Sequence, residues 1–337
     1  MTEDTLENLL ARVSGRPVGI LGDFCVDVYW ELRPELGERS IETGIVTTPV
    51  GSARYSPGGA GNIAANLRGL GAKRISCFGA LGEGPFGRWL RSILFPESNE
   101  GDFLLRVDRE AYHTPVYCKP LLQGREQSRF DLGDVPLTDD EAAQLLRHLE
   151  AALAELDVLI VNQQLRNGIH SEFFRRGFAA LLKRMPKLPK IVFDGRAYLD
   201  AYPGVILKIN AHAASKLAFG RPDASPEESG VAILRRTGVE MVVTDGANGC
   251  YVFEHGGTTF IPAIRAPGPV DTVGAGDSFT AGFALALAGG GSMTEAAEFG
   301  NACSAVTVRK LAQTGVPTPS ELRAVFAEAR RQQRSGR

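Results

Sequence analysis

The residues best placed to do chemistry lie late in the chain, in the stretch PVDTVGAGDSFTAGFALALAGG at 269–290. Its spacing predicts a short strand ending near Val270, a tight turn at Gly274, Ala275 and Gly276, and then an apolar helix. Glycine permits the positive φ such a turn needs and lets a ligand come close to the backbone. A helix starting here points its unbonded N–H groups and positive dipole end at the turn, which suits an anion. Asp277 falls in the first helical turn, beside that anion. Amides around a phosphate with a carboxylate at the edge are equipped for phosphoryl transfer to a hydroxyl. The amides of Gly274, Ala275 and Gly276 would steady the moving group, while Asp277 orients the nucleophile and accepts its proton. Taken alone, Asp277 also fits a helix cap, and the glycines an ordinary turn.

A second glycine string, SPGGAGNIAANLRGLGA at 56–72, changes that balance. Together the two strings resemble the paired signatures of the ribokinase-like (PfkB-type) carbohydrate kinases. The first signature, Gly-Gly-x-x-x-Asn, is matched by Gly58, Gly59 and Asn62. The second, Asp-Thr-x-Gly-Ala-Gly-Asp, is matched by Asp271, Thr272 and the run from Gly274 to Asp277. The resemblance follows the order of elements over about residues 17–325. It implies an α/β fold, a three-layer αβα sandwich around a mainly parallel sheet with a small β-sheet lid. It also implies an enzyme that transfers the γ-phosphoryl group of ATP, with Mg²⁺, to a sugar.

The elements that must position these residues are legible from periodicity. PVGILGDFCVDVYW at 17–30 is an apolar strand that breaks at Gly22-Asp23, and RISCFGALG at 74–82 is the next. VLIVN (158–162), KIVFD (190–194), VILKIN (205–210) and MVVTDG follow, separated by helical stretches. Continuous apolar strands alternating with helices predict a parallel sheet covered on both faces. GCYVFEHGGTTFIPA predicts a hairpin turning at His255-Gly256-Gly257. Capping boxes stand at Thr138 with Glu141, Ser292 with Glu295, and Thr318 with Glu321. Residues 31–57 and 102–131 alternate apolar with polar and carry breakers; they are expected to form the lid, inserted into one α/β domain spanning 1–337. A lid that excludes water would limit wasteful hydrolysis of the donor.

The bulk composition agrees with this. The chain has 337 residues, 44% hydrophobic and 23% charged, with a net charge of −2, so no electrostatic excess points to nucleic acid or an anionic membrane. Five scattered cysteines without a C-x-x-C pair argue for reduced thiols in a cytoplasmic setting and against a zinc site. Residues 1–16 carry early acids and no long apolar core; they predict an amphipathic helix with Leu6, Leu9, Leu10 and Val13 on one side rather than a signal peptide. The apolar run around 281–288 is too short to span a bilayer.

Ligands of parallel sheets sit at the strands' carboxyl ends. The resemblance implies that Asp23, after the first strand, holds sugar hydroxyls with Gly58, Gly59 and Asn62; a solvated turn for Asp23 and a cap for Asn62 stay open. Thr244, Gly246 and Gly249 resemble the segment near the donor phosphates, Asn210 the end of a nucleotide-facing strand, and Asn301 a residue lining the adenine pocket. Asp271 and Val273 with the loop holding Ala312 and Gly315 resemble a monovalent-cation (K⁺) site, and an exposed loop without metal fits equally. The family usually carries Asn-x-x-Glu after the strand at 205–210. Here the string is Asn210-Ala211-His212-Ala213, so the acid that organises Mg²⁺ is missing.

For the acceptor, GDFCVDVYW and the lid string QGREQSRFDLG are similar to the heptose 7-phosphate kinase type. A phosphorylated sugar needs a cation, and Arg129 and Arg196, with Arg125, Lys119 and Arg54, are candidates; pairing with neighbouring acids would remove them. Unphosphorylated hexoses, fructose phosphates and ribosides stay open. The resemblance implies a homodimer formed through the lid. A rival from another class is a catalytically weak sugar- or nucleotide-binding regulator, motivated by Ala213. A Rossmann dehydrogenase is disfavoured, because no G-x-G-x-x-G follows the first strand.

Overall fold

Apolar runs rich in Val, Ile and Leu become strands buried on both faces, and the amphipathic segments between them become the helices that cover those faces. The computed structural model describes residues 1–335 apart from 99, 312 and 313. Its first part runs α1 (Glu3–Val13), β1 (Pro17–Gly22), β2 (Phe24–Leu32), β3 (Val50–Gly59), α2 (Ala60–Gly69), β4 (Arg74–Gly82), α3 (Pro85–Leu94) and β5 (Asp102–Val107). Next come β6 (Val116–Leu122), β7 (Arg125–Glu126), β8 (Phe130–Leu132), α4 (Asp139–Ala152), β9 (Val158–Gln163), α5 (Glu172–Arg184) and β10 (Lys190–Gly195). The chain continues through β11 (Ile206–Asn210), α6 (Ala211–Phe219), α7 (Pro226–Thr237), β12 (Met241–Thr244), β13 (Gly249–Glu254) and β14 (Gly257–Pro262). It closes with α8 (Ala275–Ala288), α9 (Met293–Thr307) and α10 (Pro319–Ser335).

The larger sheet has nine strands in the order β14-β13-β12-β11-β10-β9-β1-β4-β5. From β12 to β5 every neighbouring pair is parallel, while β13 and β14 form the antiparallel hairpin expected at 255–257. Alternation along β9 splits the core in two. Val158 and Ile160 face the cluster built with α1, α2, α8, α9 and α10, whereas Leu159 and Val161 face the cluster built with α4 to α7. That is the three-layer sandwich the alternation predicted. Capping boxes form at Thr138–Glu141 and Ser292–Glu295, and Thr318 and Glu321 exchange the same pair of bonds. No helix among the described residues is long and apolar enough to cross a membrane.

The smaller sheet orders its strands β3-β2-β6-β7, with β8 also on β6. Its boundaries differ from the expected 31–57 and 102–131. The chain leaves the main sheet at Gly22 and enters the lid at once as β2, so residues 24–30 belong to the lid. Residues 102–107 instead add β5 to the edge of the main sheet, paired in parallel with β4. The reason lies in β5's burial: Leu104, Leu105 and Val107 are all buried, which a solvent-washed lid strand would not achieve. No strand forms near Val270 either. Pro267 and Pro269 lack the N–H a ladder requires, and Gly268 between them takes a positive φ of 84°.

Candidate active site

The two glycine strings meet. Asn62 Nδ2 on α2 donates to Asp277 Oδ2 on α8 at 2.7 Å, joining residues that lie 215 positions apart. Gly274 makes this approach possible. It caps α8 in the left-handed conformation (φ 78°), and a Cβ there would lie 3.0 Å from Asn62 Nδ2. Across the cleft, a Cβ on Gly58 would lie 3.1 Å from Asp27 Oδ2, so that glycine opens room beside a second carboxylate.

The turn before α8 leaves a different set of amides open than Gly274, Ala275 and Gly276. The Ala275 amide is engaged by Thr272 O at 3.2 Å, which removes it from the expected set. The amides of Gly274, Gly276 and Asp277 have no protein partner among the described residues, as the first turn of a helix predicts. A cation reinforces them. Lys208 Nζ lies 3.5 Å from where a Gly276 Cβ would be and pairs with both oxygens of Asp194 at 3.1 Å. Thr280 Oγ1 donates to Asp194 at 2.6 Å and fixes that carboxylate in turn. Parallel register sets Asn162, Asp194 and Lys208 side by side on β9, β10 and β11, on the face covered by α8. A charge in the middle of an apolar strand was the signal for Lys208, since a buried ammonium persists only when paired.

Asp277 itself is half-buried at the head of α8, with protein atoms crowding its carboxylate. Burial pushes its pKa up from 3.8 to about 6, against the Asn62 hydrogen bond that lowers it; Asp194 raises it, Lys208 lowers it and Asp27 raises it, each by charge. A base poised near neutrality is what proton abstraction from a hydroxyl asks for.

Asp23 is not in the cleft. Its carboxylate accepts the backbone amides of Gln164 and Leu165 (both 2.9 Å) and Ile169 (3.0 Å), and it is 2% exposed. It staples the loop after β9, both oxygens being engaged by backbone amides and buried. Asp27, four residues on, is the aspartate that faces the cleft. Pleat alternation turns Val26 and Val28 into the core and Asp27 toward Gly58 and the cleft, where Lys119 Nζ on β6 pairs with it at 2.8 Å. A charged residue inside the apolar run FCVDV was the legible sign. The next row of the lid sets Arg54, Tyr29 and Lys119 abreast on β3, β2 and β6. The Arg54 and Lys119 cations lie 5.0 and 4.9 Å from the centre of the Tyr29 ring.

The remaining expectations divide. Arg129 is committed to Asp131 through two bonds (2.6 and 2.7 Å) and lies over the Tyr117 ring, so it is not a free phosphate ligand. Arg196 is exposed, with its charge near the Tyr117 phenol, and its amide is held by Gln163. Asn210 pairs in register with Thr244 at the carboxyl ends of β11 and β12, but its Oδ1 caps α6 through Ala213 N at 2.8 Å. Gly246 and Gly249 follow with positive φ values of 54° and 126°; a Cβ on Gly249 would strike Ile261 O, whereas Gly246 faces open space. Asn301 points to the Ile261 and Pro262 carbonyls at 3.5 and 3.4 Å, bracing β14 rather than lining an open pocket. For the cation site, Asp271 Oδ1 accepts Val273 N and Gly315 O accepts the Thr307 hydroxyl, while Ala312 lies outside the described residues. No cluster of three or more acids, histidines or cysteines able to hold a metal occurs among the described residues. With alanine at 213 and Asn210 serving as a cap, the protein side does not fit a protein-held Mg²⁺. A cavity of about 640 Å³ at the opposite ends of the strands, lined by Pro17, Arg74, Phe95 and Leu156, holds neither glycine string.

A sheet of this order, with free amides and a buried-edge carboxylate facing a lidded polar cleft, defines a carbohydrate kinase. The chain belongs to the pfkB family of carbohydrate kinases, whose model it matches over residues 28–320. Among curated relatives it is 29% identical to the bifunctional protein HldE of Azorhizobium caulinodans, over 94% of this chain and 66% of the relative. The chain thus spans about two thirds of the length of that relative. Its fold is shared with phosphofructokinase-2 from Escherichia coli in complex with potassium (TM-score 0.74, 20% identity, 94% of this chain and 99% of the other). Ribokinase from Arabidopsis thaliana complexed with ribose and ATP has the same fold (TM-score 0.68, 20% identity, 93% and 99%).

Proposed function

We propose that this kinase transfers the γ-phosphoryl group of ATP to a hydroxyl of a sugar phosphate, with a heptose phosphate as the leading acceptor. The observation that carries the reading is the 2.7 Å contact between Asn62 and Asp277, which brings the acceptor string and the phosphate string to one point. Asp277 Oδ2 is held by Asn62, which leaves Oδ1 to take the proton of the attacking hydroxyl. The amides of Gly274, Gly276 and Asp277, together with Lys208, face the charge that develops on the transferring group. Asp27, Gly58 and Gly59 line the acceptor side, and Thr244 and Gly246 the donor side. Mg²⁺ would arrive on the nucleotide phosphates, since it commonly keeps several waters and leans on them. A monovalent cation near Asp271 and Gly315 is supported by the potassium complex of the E. coli relative.

Support for a phosphorylated acceptor comes from the lid. Two residues along a strand span about 6.8 Å, so Arg54, in register with Tyr29, stands one sugar ring beyond Asp27, where a distal phosphate would fall, whereas Lys119 is committed to Asp27 itself at 2.8 Å. The strings GDFCVDVYW and QGREQSRFDLG favour a heptose. The protein is proposed to act in the cytoplasm as a homodimer joined through the lid, whose Ile41 (100% exposed), Ile45 (68%), Leu36 (67%) and Phe130 (63%) leave apolar surface to cover.

ADP release measured with ATP and Mg²⁺ across heptose 7-phosphate, fructose 6-phosphate, fructose and ribose tests the reading, with Asp277→Asn as control. Turnover of the phosphorylated sugars that vanishes in the control is expected. Turnover confined to hexoses or ribose would shift the acceptor class. The alanine at 213 and the capping role of Asn210 favour one alternative, a weakly catalytic sugar- or nucleotide-binding regulator. Ligand binding without turnover at high Mg²⁺ would establish that alternative.

A further inference from the structure

Asn66 is a buried carboxamide in the middle of α2, where asparagine is a poor helix former and an unpaired polar atom is costly. It is 0% exposed. Its Nδ2 donates twice to one residue, to Asn62 O at 2.8 Å and to Asn62 Oδ1 at 3.1 Å, while its own Oδ1 has no partner among the described residues. Turning the Asn66 amide over would set its oxygen against two acceptors, so the donor orientation is dictated. That in turn dictates Asn62. With Oδ1 occupied by Asn66, only its Nδ2 can face Asp277, and it does so at 2.7 Å.

We propose that Asn66 is a positioning residue that locks the Asn62 amide, so that one oxygen of Asp277 always receives an N–H and the other alone serves as the base. The proposal rests on the reading of Asp277 as the catalytic base. Without Asn66 the Asn62 carboxamide is free to rotate and present its oxygen to Asp277. Two facing acceptors then favour a proton between them, and the carboxylate is less often in its working form.

The test compares wild type, Asn66→Ala and Asn66→Asp. The aspartate has the same shape but accepts where asparagine donates, which pulls the Asn62 amide the wrong way round. Turnover with ATP, Mg²⁺ and heptose 7-phosphate, or fructose 6-phosphate if that is the accepted sugar, is expected to fall about 10-fold or more in Asn66→Ala. It should fall further in Asn66→Asp, with KM for both substrates within about threefold. The acid limb of the pH–kcat profile should move up by at least about half a pH unit. The same displacement is expected in a ¹³C-carboxyl NMR titration of Asp277, whose resonance is assigned with Asp277→Asn and needs no acceptor. Should the alanine variant fail to fold, Asn66→Ser carries the same expectation, because its hydroxyl can return to the Asn62 carbonyl, as Thr280 does to Gly276, but is too short to hold Asn62 Oδ1. A pH profile and titration identical to wild type, whatever the change in melting temperature, would overturn the proposal. Full turnover in Asp277→Asn would overturn the base assignment instead.

Discussion

Lys208 and Asp194 sit opposite each other on neighbouring parallel strands, and the lysine ammonium is equidistant, at 3.1 Å, from both carboxylate oxygens. With side chains only 7% and 13% exposed, the pair is nearly dry, yet its cation reaches the edge of the amide nest. Asp194 therefore holds a positive charge beside the open amides at the head of α8, where the proposed function puts the transferring phosphoryl group.

Breaking this pair should be costly in two separable ways. Lys208→Met leaves Asp194 buried and unpaired, which typically costs about 3–5 kcal/mol. Asp194→Asn with Lys208→Met should recover most of that stability in denaturant unfolding while kcat stays at least about 100-fold below wild type, the usual loss for a donor to developing charge. Equal recovery of activity would show that the ammonium is only structural.

Asp277 links activity and stability to pH in opposite senses. Turnover should fall as pH drops through about 6, because the base becomes protonated. Its folded pKa lies above the ordinary 3.8, so the fold binds this proton more tightly than the unfolded chain does. Stability from this group is thus present at low pH and lost as pH rises from about 4 to about 6. Holding the carboxylate ionised at neutral pH costs at most about 3 kcal/mol at 1.4 kcal/mol per pKa unit, less what water in the open cleft recovers. Asp277→Asn should therefore melt a few degrees higher than wild type at pH 7.5 while being inactive, a result read by calorimetry and an ADP-release assay.

The two early aspartates should part company on mutation. Asp27→Asn is expected to raise the acceptor KM about 10-fold or more, the range for a lost hydrogen bond to a charged group, and also to lower the melting temperature, because it leaves the Lys119 ammonium, 13% exposed, without its carboxylate. Asp23→Asn weakens three amide bonds at once and should destabilise by about 2–4 kcal/mol with acceptor KM nearly unchanged. Steady-state kinetics beside thermal unfolding distinguishes them.

Arg54→Met should lower kcat/KM for a phosphorylated acceptor by about 10- to 100-fold and leave the matching unphosphorylated sugar within about threefold. Equal effects on both sugars would move the acceptor phosphate away from the lid.

The sandwich, the hairpin at 255–257 and the capping boxes were legible because each depends on local spacing: apolar periods for strands, Thr or Ser three residues before Glu for helix starts. The meeting of Asn62 with Asp277 was legible only through the two glycine strings, since nothing local ties positions 215 residues apart. Asp23 and Asp27 show what local reading misses. Both follow the first apolar run, and only the immediate switch from β1 to β2 decides that one staples a loop while the other faces the cleft. Asp194 and Lys208 escaped for a related reason: a charge inside an apolar strand marks Lys208, but its partner lies across the sheet, which no periodicity encodes. Asn66 stands four residues after Asn62 on one helix, a spacing that was open to reading.

Phe24 and Gly59 are paired at the base of the lid, so both of its long strands leave the body of the molecule side by side. Asp27, Tyr29 and Lys119 all stand on strands of this small sheet, so under the proposed function any closure of the lid would bring the acceptor contacts and the exclusion of water together.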